Sequence, residues 1–186
     1  MKSEEELVEE ALNGNHASFE LLLRPYRQGL LNMAVRMTGN TEDAKEICQA
    51  AITKVYKYLK NFRKGQSFRN WLLKILVNSS YDLLRQKKRA TEIIESQKNA
   101  DQVRGSAVEE KFLQSEIREK IQVCLQDLTP KEKSAFLLRD QEGYSIQETS
   151  EVLGCSPGSV RVHLSRARKK IRRRFQKIYE NKEARA

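Results

Sequence analysis

The sequence is poor in the residues that strands, metal sites and membrane spans require. Its 186 residues include 3 Pro, 8 Gly, 3 Cys and 2 His, and aromatic residues make up 7%. Alternating apolar runs are scarce, whereas long stretches repeat apolar residues at the helical period, so we predict an all-α fold. No run reaches the roughly 18 apolar residues of a membrane span, and the acidic N-terminus is unlike a signal peptide. We therefore expect a soluble, cytoplasmic protein with no direct membrane insertion.

The cysteines give no sign of a metal site or a disulfide framework. Cys48, Cys124 and Cys155 are odd in number and lack CxxC spacing, and only His16 and His163 are available to assist them. We expect free thiols in a reducing cytosol, no bound metal and no cofactor.

Positive charge is concentrated in two parts of the chain. The net charge is +10, of which residues 64–90 carry +6 and residues 158–186 carry +9, while residues 91–127 between them carry −3. Two basic segments separated by an acidic one indicate a polyanionic partner that is contacted at two places.

Residues 145–170 have the signals of two helices joined by a tight turn. Ser145 can cap the first helix in a capping box with Glu148, and Gly154 supplies a left-handed exit. Ser156 can cap the second helix, with Pro157 at its first position. This pattern predicts a helix-turn-helix, whose second helix enters the major groove with its N-terminal residues on base edges.

The two faces of this second helix differ in character. Helical spacing predicts that one face is buried and packs on the first helix; the inward residues of the pair are Ile146, Thr149, Ser150, Leu153, Val160, Leu164, Ala167 and Ile171. The opposite face is polar and cationic, and it consists of Ser159, Val162, Ser165, Arg166 and Lys169 with Arg161 and Arg168 on its flank. A helical hairpin with a solvated charged face remains an alternative. The predicted caps, the tight turn, the apolar stripe and the positive charge all fit a helix-turn-helix. DNA binding is therefore the favoured interpretation.

The rest of the chain divides into helices and one polar stretch. The predicted helices cover residues 3–12, 17–38 with a joint at Pro25, 42–59, 68–89, 108–126 and 130–140. We predict two small helical domains, residues 1–89 and 108–186, joined by a flexible linker at 90–107. A basic loop at 60–67 and the cationic end of helix 68–89 suit a single nucleic-acid strand, which needs cations along its phosphates and surfaces for unstacked bases.

Three stretches in this order resemble bacterial sigma factors of the extracytoplasmic-function (ECF) type, in the sigma-70 family. They are LLNMAVRMTGNTEDAKEICQAAI, FRNWLLKILVNSSYDLLRQKKR and LTPKEKSAFLLRDQEGYSIQETSEVLGCSPGSVRVHLSRAR, within residues 17–175. The third alone is shared with many helix-turn-helix regulators, whereas the joint order is specific. The resemblance implies two helical modules that direct RNA polymerase to promoters, with no enzymatic activity.

The resemblance also assigns a docking surface. Helix 42–59 would bind the coiled coil of the largest polymerase subunit through Glu42, Lys45, Glu46 and Gln49. The family usually has an acidic pair and a Gln-acidic pair at these positions. This chain has Ala44-Lys45-Glu46 and Gln49-Ala50 instead, so two acids of the expected face are missing.

Each module would read one promoter element. The first would capture the −10 element as a single strand with Asn61, Phe62, Arg63, Lys64, Gln66, Ser67, Arg69, Asn78, Arg85 and Lys88, and Asn61, Phe62, Gln66 and Ser67 would form a pocket for a flipped base. Trp71 is expected in the core. The second module would read the −35 duplex with Ser156, Ser159, Arg161, Val162, Ser165, Arg166 and Lys169. Arg161 suits a bidentate contact to guanine, and Val162 suits a thymine methyl group.

The partners that the resemblance implies are core RNA polymerase, promoter DNA and an anti-sigma factor. A stand-alone helix-turn-helix regulator that binds a duplex operator is the main alternative. A nuclease or nucleotide-modifying enzyme is disfavoured, because the sequence has no phosphate-cradling glycine loop, no clustered carboxylates for a metal pair and no Cys–His pairing.

Overall fold

Helices make up all of the regular structure that this computed structural model describes, which covers residues 2–63, 65–97 and 121–183. This confirms the all-α prediction. The helices are α1 Glu4–Leu12, α2 His16–Leu23, α3 Arg27–Thr38, α4 Thr41–Tyr58, α5 Phe68–Gln97, α6 121–126, α7 Pro130–Phe136, α8 Ile146–Leu153 and α9 Pro157–Glu183. A 3₁₀ turn, Leu59–Asn61, follows α4, and a π-helical turn, Leu137–Gln141, follows α7. Within these ranges no helix has an apolar stretch of the length that a bilayer requires.

Side-chain caps begin several of these helices, and the cap at Ser145 is the one that the sequence predicts. The Asn40 carboxamide oxygen accepts hydrogen bonds from the N–H groups of Glu42 and Asp43, at 2.8 and 3.1 Å. Thr129 and Ser145 form reciprocal capping boxes at the starts of α7 and α8. These contacts satisfy backbone donors that have no partner within the helix.

Two helix ends differ from the predicted ones. Helix α5 continues through eight residues beyond Arg89, so the predicted linker at 90–107 begins as helix; residues 98–107 lie outside the described part of the chain. No Gly or Pro interrupts this stretch, and Lys88 pairs with Glu92 one turn on, at 3.6 Å. Polar composition was therefore a poor guide to the end of the helix. The predicted helix 130–140 is α-helical only to Phe136 and then widens into the π turn, and of the predicted helix 108–126 only residues 121–126 are described.

The first module, α1–α5, buries the apolar stripes of its helices in a common core. Fully buried side chains come from α2, α3, α4 and α5, and they include Leu22, Leu23, Met33, Met37, Ile47, Val55, Phe68, Leu72 and Leu76. Each such side chain stabilises the fold by about 1.5–3 kcal/mol through burial. The predicted joint at Pro25 separates α2 from α3.

The second module places α7 and α8 against α9. Val160, Leu164 and Ala167 are buried, as predicted for the inner face of α9. On α8 the buried residues are Thr149, Ser150 and Val152, of which the last was missed. The Thr149 and Ser150 hydroxyls each donate to a carbonyl of the preceding turn at 2.7 Å, so their burial leaves no donor unpaired.

The three thiols lie inside these modules as free cysteines. Cys124 is buried and Cys48 and Cys155 are partly buried. Burial raises the pKa of the Cys48 thiol, which therefore stays protonated at neutral pH. The described residues contain no group of three or more metal-binding side chains.

The two modules pack against each other. Helix α8 lies on α5, and α7 contacts α3. Their apolar side chains form one continuous cluster, which includes Met37 and Leu76 of the first module and Leu138 and Val152 of the second. The described part of the chain is thus a single body with two helical parts.

Glu132 is a buried carboxylate on which the second module depends. Its side chain accepts from the Thr129 N–H at 2.9 Å and from the Lys170 ammonium at 2.7 Å, and it is about 5% exposed. Burial alone raises the pKa of this carboxyl, but the hydrogen bonds from Lys170 and Thr129 outweigh burial and hold the pKa below its ordinary value.

We predict that Glu132→Gln lowers the free energy of unfolding by about 1–3 kcal/mol at pH 7, because charge-assisted hydrogen bonds are lost. A depressed carboxyl pKa stabilises the fold above the unfolded-state pKa, and this stabilisation disappears as the pH falls through the folded-state pKa. The gap between variant and wild type should therefore close below about pH 4. Urea unfolding at several pH values measures this difference in the free energy of unfolding. Glu151→Gln, at an exposed carboxylate, should match wild type throughout; a pH-independent gap for Glu132→Gln would contradict the assignment.

Candidate nucleic-acid interface

The turn between α8 and α9 has the geometry that its sequence predicts. Gly154 has φ +62° and ends α8 in the left-handed region. The Ser156 hydroxyl accepts from the Ser159 N–H at 3.1 Å and lies 3.0 Å from the Ser159 hydroxyl. Both serines therefore help to hold the first turn of α9, in addition to the DNA contact that the sequence predicts for them.

A groove runs along the solvent side of α9. It has a volume of about 760 Å³, and its lining residues are Arg139, Ile146, Arg161, Leu164, Ser165, Arg168, Lys169, Arg172 and Arg173. Of the predicted −35 residues, the groove brings together Arg161, Ser165 and Lys169. Ser159, Val162 and Arg166 follow one another at helical spacing on the adjacent strip, where Val162 is 47% exposed. The predicted set thus forms two neighbouring strips of one helix.

Arg139 is a cation of this groove that the sequence reasoning missed. It comes from the π turn after α7, and its guanidinium donates to the Tyr144 carbonyl at 3.2 Å. The sequence predicts an ordinary helix at this point, so its periodicity gives no reason to place Arg139 beside α9. Only the packing of the π turn against α9 brings it there.

Carboxylates neutralise some of the α9 cations. Asp140 accepts two hydrogen bonds from Arg168, at 2.8 and 2.6 Å, and this contact raises the pKa of Arg168 above its already high value. Lys170 pairs with Glu132 at 2.7 Å. Between Arg161 and Arg173, five cations of α9 make no ion pair with any residue that the structure describes; they are Arg161, Arg166, Lys169, Arg172 and Arg173. These five provide a positive field along the exposed side of the helix.

His163 does not add to this field. Burial lowers the pKa of its imidazole, and the nearby Lys131 lowers it further. The ring is therefore neutral at pH 7, and the charge of the α9 face is carried by arginine and lysine alone.

The loop before α5 is partly structural. Phe62 packs on Phe68 and Trp71, with ring centroids 5.4 Å apart in both cases. Trp71 is partly buried in this cluster, as predicted. The Ser67 hydroxyl accepts from the Asn70 N–H at 3.2 Å and so caps α5. Asn61, Arg63 and Gln66 are exposed, and Lys64 lies outside the described residues.

The remaining predicted −10 residues are spaced along α5. Arg69, Asn78, Arg85 and Lys88 are all exposed. At 1.5 Å per residue, about 28 Å of helix separates Arg69 from Lys88. The structure does not gather them into one pocket: at ~100° per residue, Arg69 lies about half a turn around the helix axis from Asn78 and Arg85. Arg69 is partly engaged, since its guanidinium lies 5.0 Å from the Tyr144 ring centroid.

The outer face of α4 carries the predicted docking residues. Glu42, Lys45, Glu46 and Gln49 are all exposed and share one side of the helix, opposite Ala44 and Ile47. Glu42 pairs with Lys45 at 2.9 Å. Glu46 makes no ion pair with the described residues and is the one carboxylate of this set left without a cation.

Comparison with known proteins places both modules in one family. The model of sigma-70 region 2 matches residues 22–90, and the model of sigma-70 region 4 matches residues 118–171. The chain is 28% identical over 185 residues to the RNA polymerase sigma-H factor of Pseudomonas aeruginosa, covering 95% of this chain and 96% of the relative. It is 27% identical over 184 residues to the ECF RNA polymerase sigma-E factor of Haemophilus influenzae, covering 95% and 97%.

Two solved structures share the fold. One is CnrH in complex with the cytosolic domain of CnrY, with a TM-score of 0.67, 21% identity and coverage of 91% of this chain and 95% of the other. The second is the sigma factor RpoE in complex with the anti-sigma factor NepR from Bartonella quintana, with a TM-score of 0.67, 20% identity and coverage of 85% and 96%.

We predict that Phe62→Ala lowers the free energy of unfolding by about 1–3 kcal/mol, because it removes a half-buried ring from the aromatic cluster. Asn61→Ala, at an exposed neighbour, should change it by less than about 0.5 kcal/mol. Thermal or urea unfolding of the two variants measures this difference. Equal stability of the two would mean that Phe62 is free to serve as a base-stacking surface alone.

Proposed function

Because the chain belongs to the ECF group of the sigma-70 family, we propose that it binds core RNA polymerase and directs it to promoters with two separate DNA-reading surfaces. The observation that supports this most strongly is the exposed face of α9, the second helix of the capped helix-turn-helix, where five cations from Arg161 to Arg173 have no carboxylate partner among the described residues. On this proposal the chain supplies binding and specificity, and the polymerase performs the chemistry.

The second module would read the −35 element as duplex. The N-terminal turns of α9 would enter the major groove, with Arg161 and Val162 on base edges. Arg172 and Arg173 lie farther along the groove, where contacts to phosphates fix position rather than sequence. Arg139 would add a cation on the same side.

The first module would hold the −10 element as a single strand. Exposed polar groups at Asn61, Gln66 and Ser67 offer hydrogen bonds to a base, and Asn78, Arg85 and Lys88, which lie within about 80° of one another around α5, would follow further nucleotides. Phe62 would support this loop from below through the aromatic cluster.

The α4 face would dock on the polymerase. Its carboxylates are reduced to Glu42 and Glu46, and Glu42 is already paired with Lys45. Glu46 would therefore carry most of the electrostatic attraction to a basic partner surface, with Gln49 beside it as a hydrogen-bonding group.

An anti-sigma factor is proposed as a further partner. The solved structures with this fold were obtained with CnrY and with the anti-sigma factor NepR bound. A protein of that class would compete with the polymerase for this chain.

The stand-alone regulator has less support, because it gives no role to the exposed contacts of α5. Transcription with purified core polymerase distinguishes the two functions. The sigma-factor proposal expects start-site-specific transcripts only when chain and polymerase are both present, and weak promoter binding by the chain alone. Tight binding to a duplex operator without polymerase, and no association with polymerase, would establish the regulator instead.

We predict that Arg161→Ala relaxes base preference at one position of the −35 element by about 1–3 kcal/mol, the value of a bidentate contact. Arg172→Ala is the matched control, since loss of a phosphate contact should weaken all promoters about equally and reduce the salt dependence. Transcription from a set of single-base −35 variants measures both. Unchanged selectivity in Arg161→Ala would remove that residue from the readout.

We predict that Glu46→Lys weakens association with core polymerase several-fold while leaving the helical content unchanged, because it reverses the one carboxylate of the α4 face that lacks a partner. Glu5→Lys makes the same change of charge at an exposed position on α1 and should leave association as it is. Titration of labelled polymerase measures both. Equal affinities for the two variants would exclude α4 as the docking face.

A further inference from the structure

A second basic pocket lies beside the groove, on the other flank of α9. It has a volume of about 190 Å³, and its lining residues are Asp127, Lys170, Arg173, Arg174 and Lys177. Three of its four cations lie beyond residue 171, where the match to sigma-70 region 4 ends. Membership of the family therefore assigns these three cations no role. The pocket is smaller than the roughly 300–1,000 Å³ of small-molecule sites, so it suits a single charged group.

The cations of this pocket outnumber the carboxylates that can pair with them. Lys170 already has a carboxylate partner on α7. Arg173 and Lys177 make no ion pair with any residue that the structure describes. Asp127 lies 3.8 Å from the Arg174 Nε atom, which is beyond hydrogen-bond distance. Three cations thus share one carboxylate, which leaves the pocket positive and attractive to an anion.

The Arg174 guanidinium has a buried donor without an acceptor. Its side chain is 41% exposed as a whole, but the Nε atom is buried and forms no hydrogen bond within the described part of the chain. Burying an unpaired donor costs free energy, and most buried donors in folded proteins have a partner. An anion in the pocket would supply an acceptor oxygen. A guanidinium matches the geometry of phosphate and the lysines add point charges, so the pocket fits a phosphate group.

The pocket and the groove lie on opposite flanks of α9. At ~100° per residue, Lys170, Arg174 and Lys177 lie within about 60° of one another around the helix axis. Arg172, on the wall of the groove, is roughly half a turn away from them. A helix with its side chains is about 10–12 Å across and the major groove of B-DNA is about 12 Å wide. A helix that enters the major groove therefore brings each flank close to one of the two phosphate backbones.

We propose that this pocket binds one phosphate group, and that in the promoter complex this group belongs to the backbone of the strand opposite the one that Arg172 contacts. This inference rests on the proposed function and extends the DNA contact to the C-terminal turns of α9. Lys177 is about 30 Å along the helix from Pro157, so the pocket holds the duplex outside the turns that meet base edges. Such a contact fixes the position of the duplex and carries no sequence information.

Titration of the free full-length chain with inorganic phosphate tests the pocket itself. Arginine Nε–H groups are observed by ¹H–¹⁵N NMR, and Arg174→Lys, which keeps the charge, assigns the Arg174 signal by its absence. This signal should shift saturably with phosphate but not with chloride at equal ionic strength. Asp127→Asn should tighten phosphate binding several-fold, because the carboxylate competes with the anion, and Lys177→Ala should weaken it several-fold. Arg24→Ala, which removes an exposed cation of the first module, should leave it unchanged.

Two results of this titration would overturn the pocket. One is an equal response of Arg174 to phosphate and chloride, which would indicate general screening of the α9 charge. The other is phosphate binding that Asp127→Asn and Lys177→Ala leave unaltered. Circular dichroism should show equal helicity in all variants, so that a change in binding is not a change in folding.

Single uncharged phosphates in the promoter test the source of the phosphate group. Each duplex of a panel carries one methylphosphonate near the −35 element and is bound to core polymerase assembled with the full chain. At one position on the proposed strand, this change should weaken binding by wild type several-fold and leave binding by Lys177→Ala unaffected, since that variant has already lost the contact. Lys177→Ala should also reduce the salt slope of promoter binding by about 0.9, the value of one phosphate contact. Arg24→Ala should respond as wild type does.

The two experiments separate this inference from the proposed function. If the free chain binds phosphate but no promoter phosphate is coupled to Lys177, the ligand is a free phosphate compound and the DNA contact is wrong. If Lys177→Ala instead weakens association with core polymerase, the pocket takes protein carboxylates and the inference is again wrong. If chain and polymerase give no start-site-specific transcript, the proposed function fails together with the DNA contact, and the titration still decides whether the pocket binds phosphate.

Discussion

The structure depends on folding a strongly basic helix into a core without neutralising the side that faces solvent. Residues 158–186 carry a net charge of +9, and α9 contributes the buried face of the second module. The repulsion among the cations of α9 is relieved by carboxylates at some positions and not at others. Asp140, Glu132 and Asp127 pair with Arg168, Lys170 and Arg174, whereas the residues of the exposed strips are left unpaired. The three paired carboxylates thus fix the flanks of α9. The cations on its exposed side keep a positive potential that can attract a polyanion.

Ion pairs also join the two modules to each other, and they centre on Glu142. Glu142 is shared by two arginines, Arg36 of α3 and Arg69 of α5. A half-exposed pair of this kind contributes little to stability and is weakened by salt. The Glu132 pair, at about 5% exposure, is screened much less by salt. Burial, more than the number of ion pairs, thus decides how strongly each pair responds to salt in this chain.

Much of the helical framework could be predicted from the sequence because its signals are local. Capping boxes at Thr129 and Ser145, the glycine exit at Gly154 and the apolar stripe of α9 all depend on residues within a few positions of one another. The features that were missed have several causes, of which only some are non-local. The extension of α5 follows from helix propensity in a polar stretch, and the position of Arg139 follows from a π turn that no periodicity indicates. The packing of α8 on α5 joins residues that are distant in the chain, and neither segment alone has a sequence pattern that predicts it.

The predicted site residues also show why exposure and chemistry must be considered together. The Ser156 and Ser67 hydroxyls each accept from a backbone N–H at a helix start, and the Ser159 hydroxyl is hydrogen-bonded to that of Ser156. A hydroxyl retains capacity for a second hydrogen bond, since it both donates and accepts. The hydrogen bond at the helix start then fixes the direction of the hydroxyl, which reduces the entropy lost on binding. If the proposed function holds, the residues that stabilise the starts of α5 and α9 would meet DNA with their side chains already oriented.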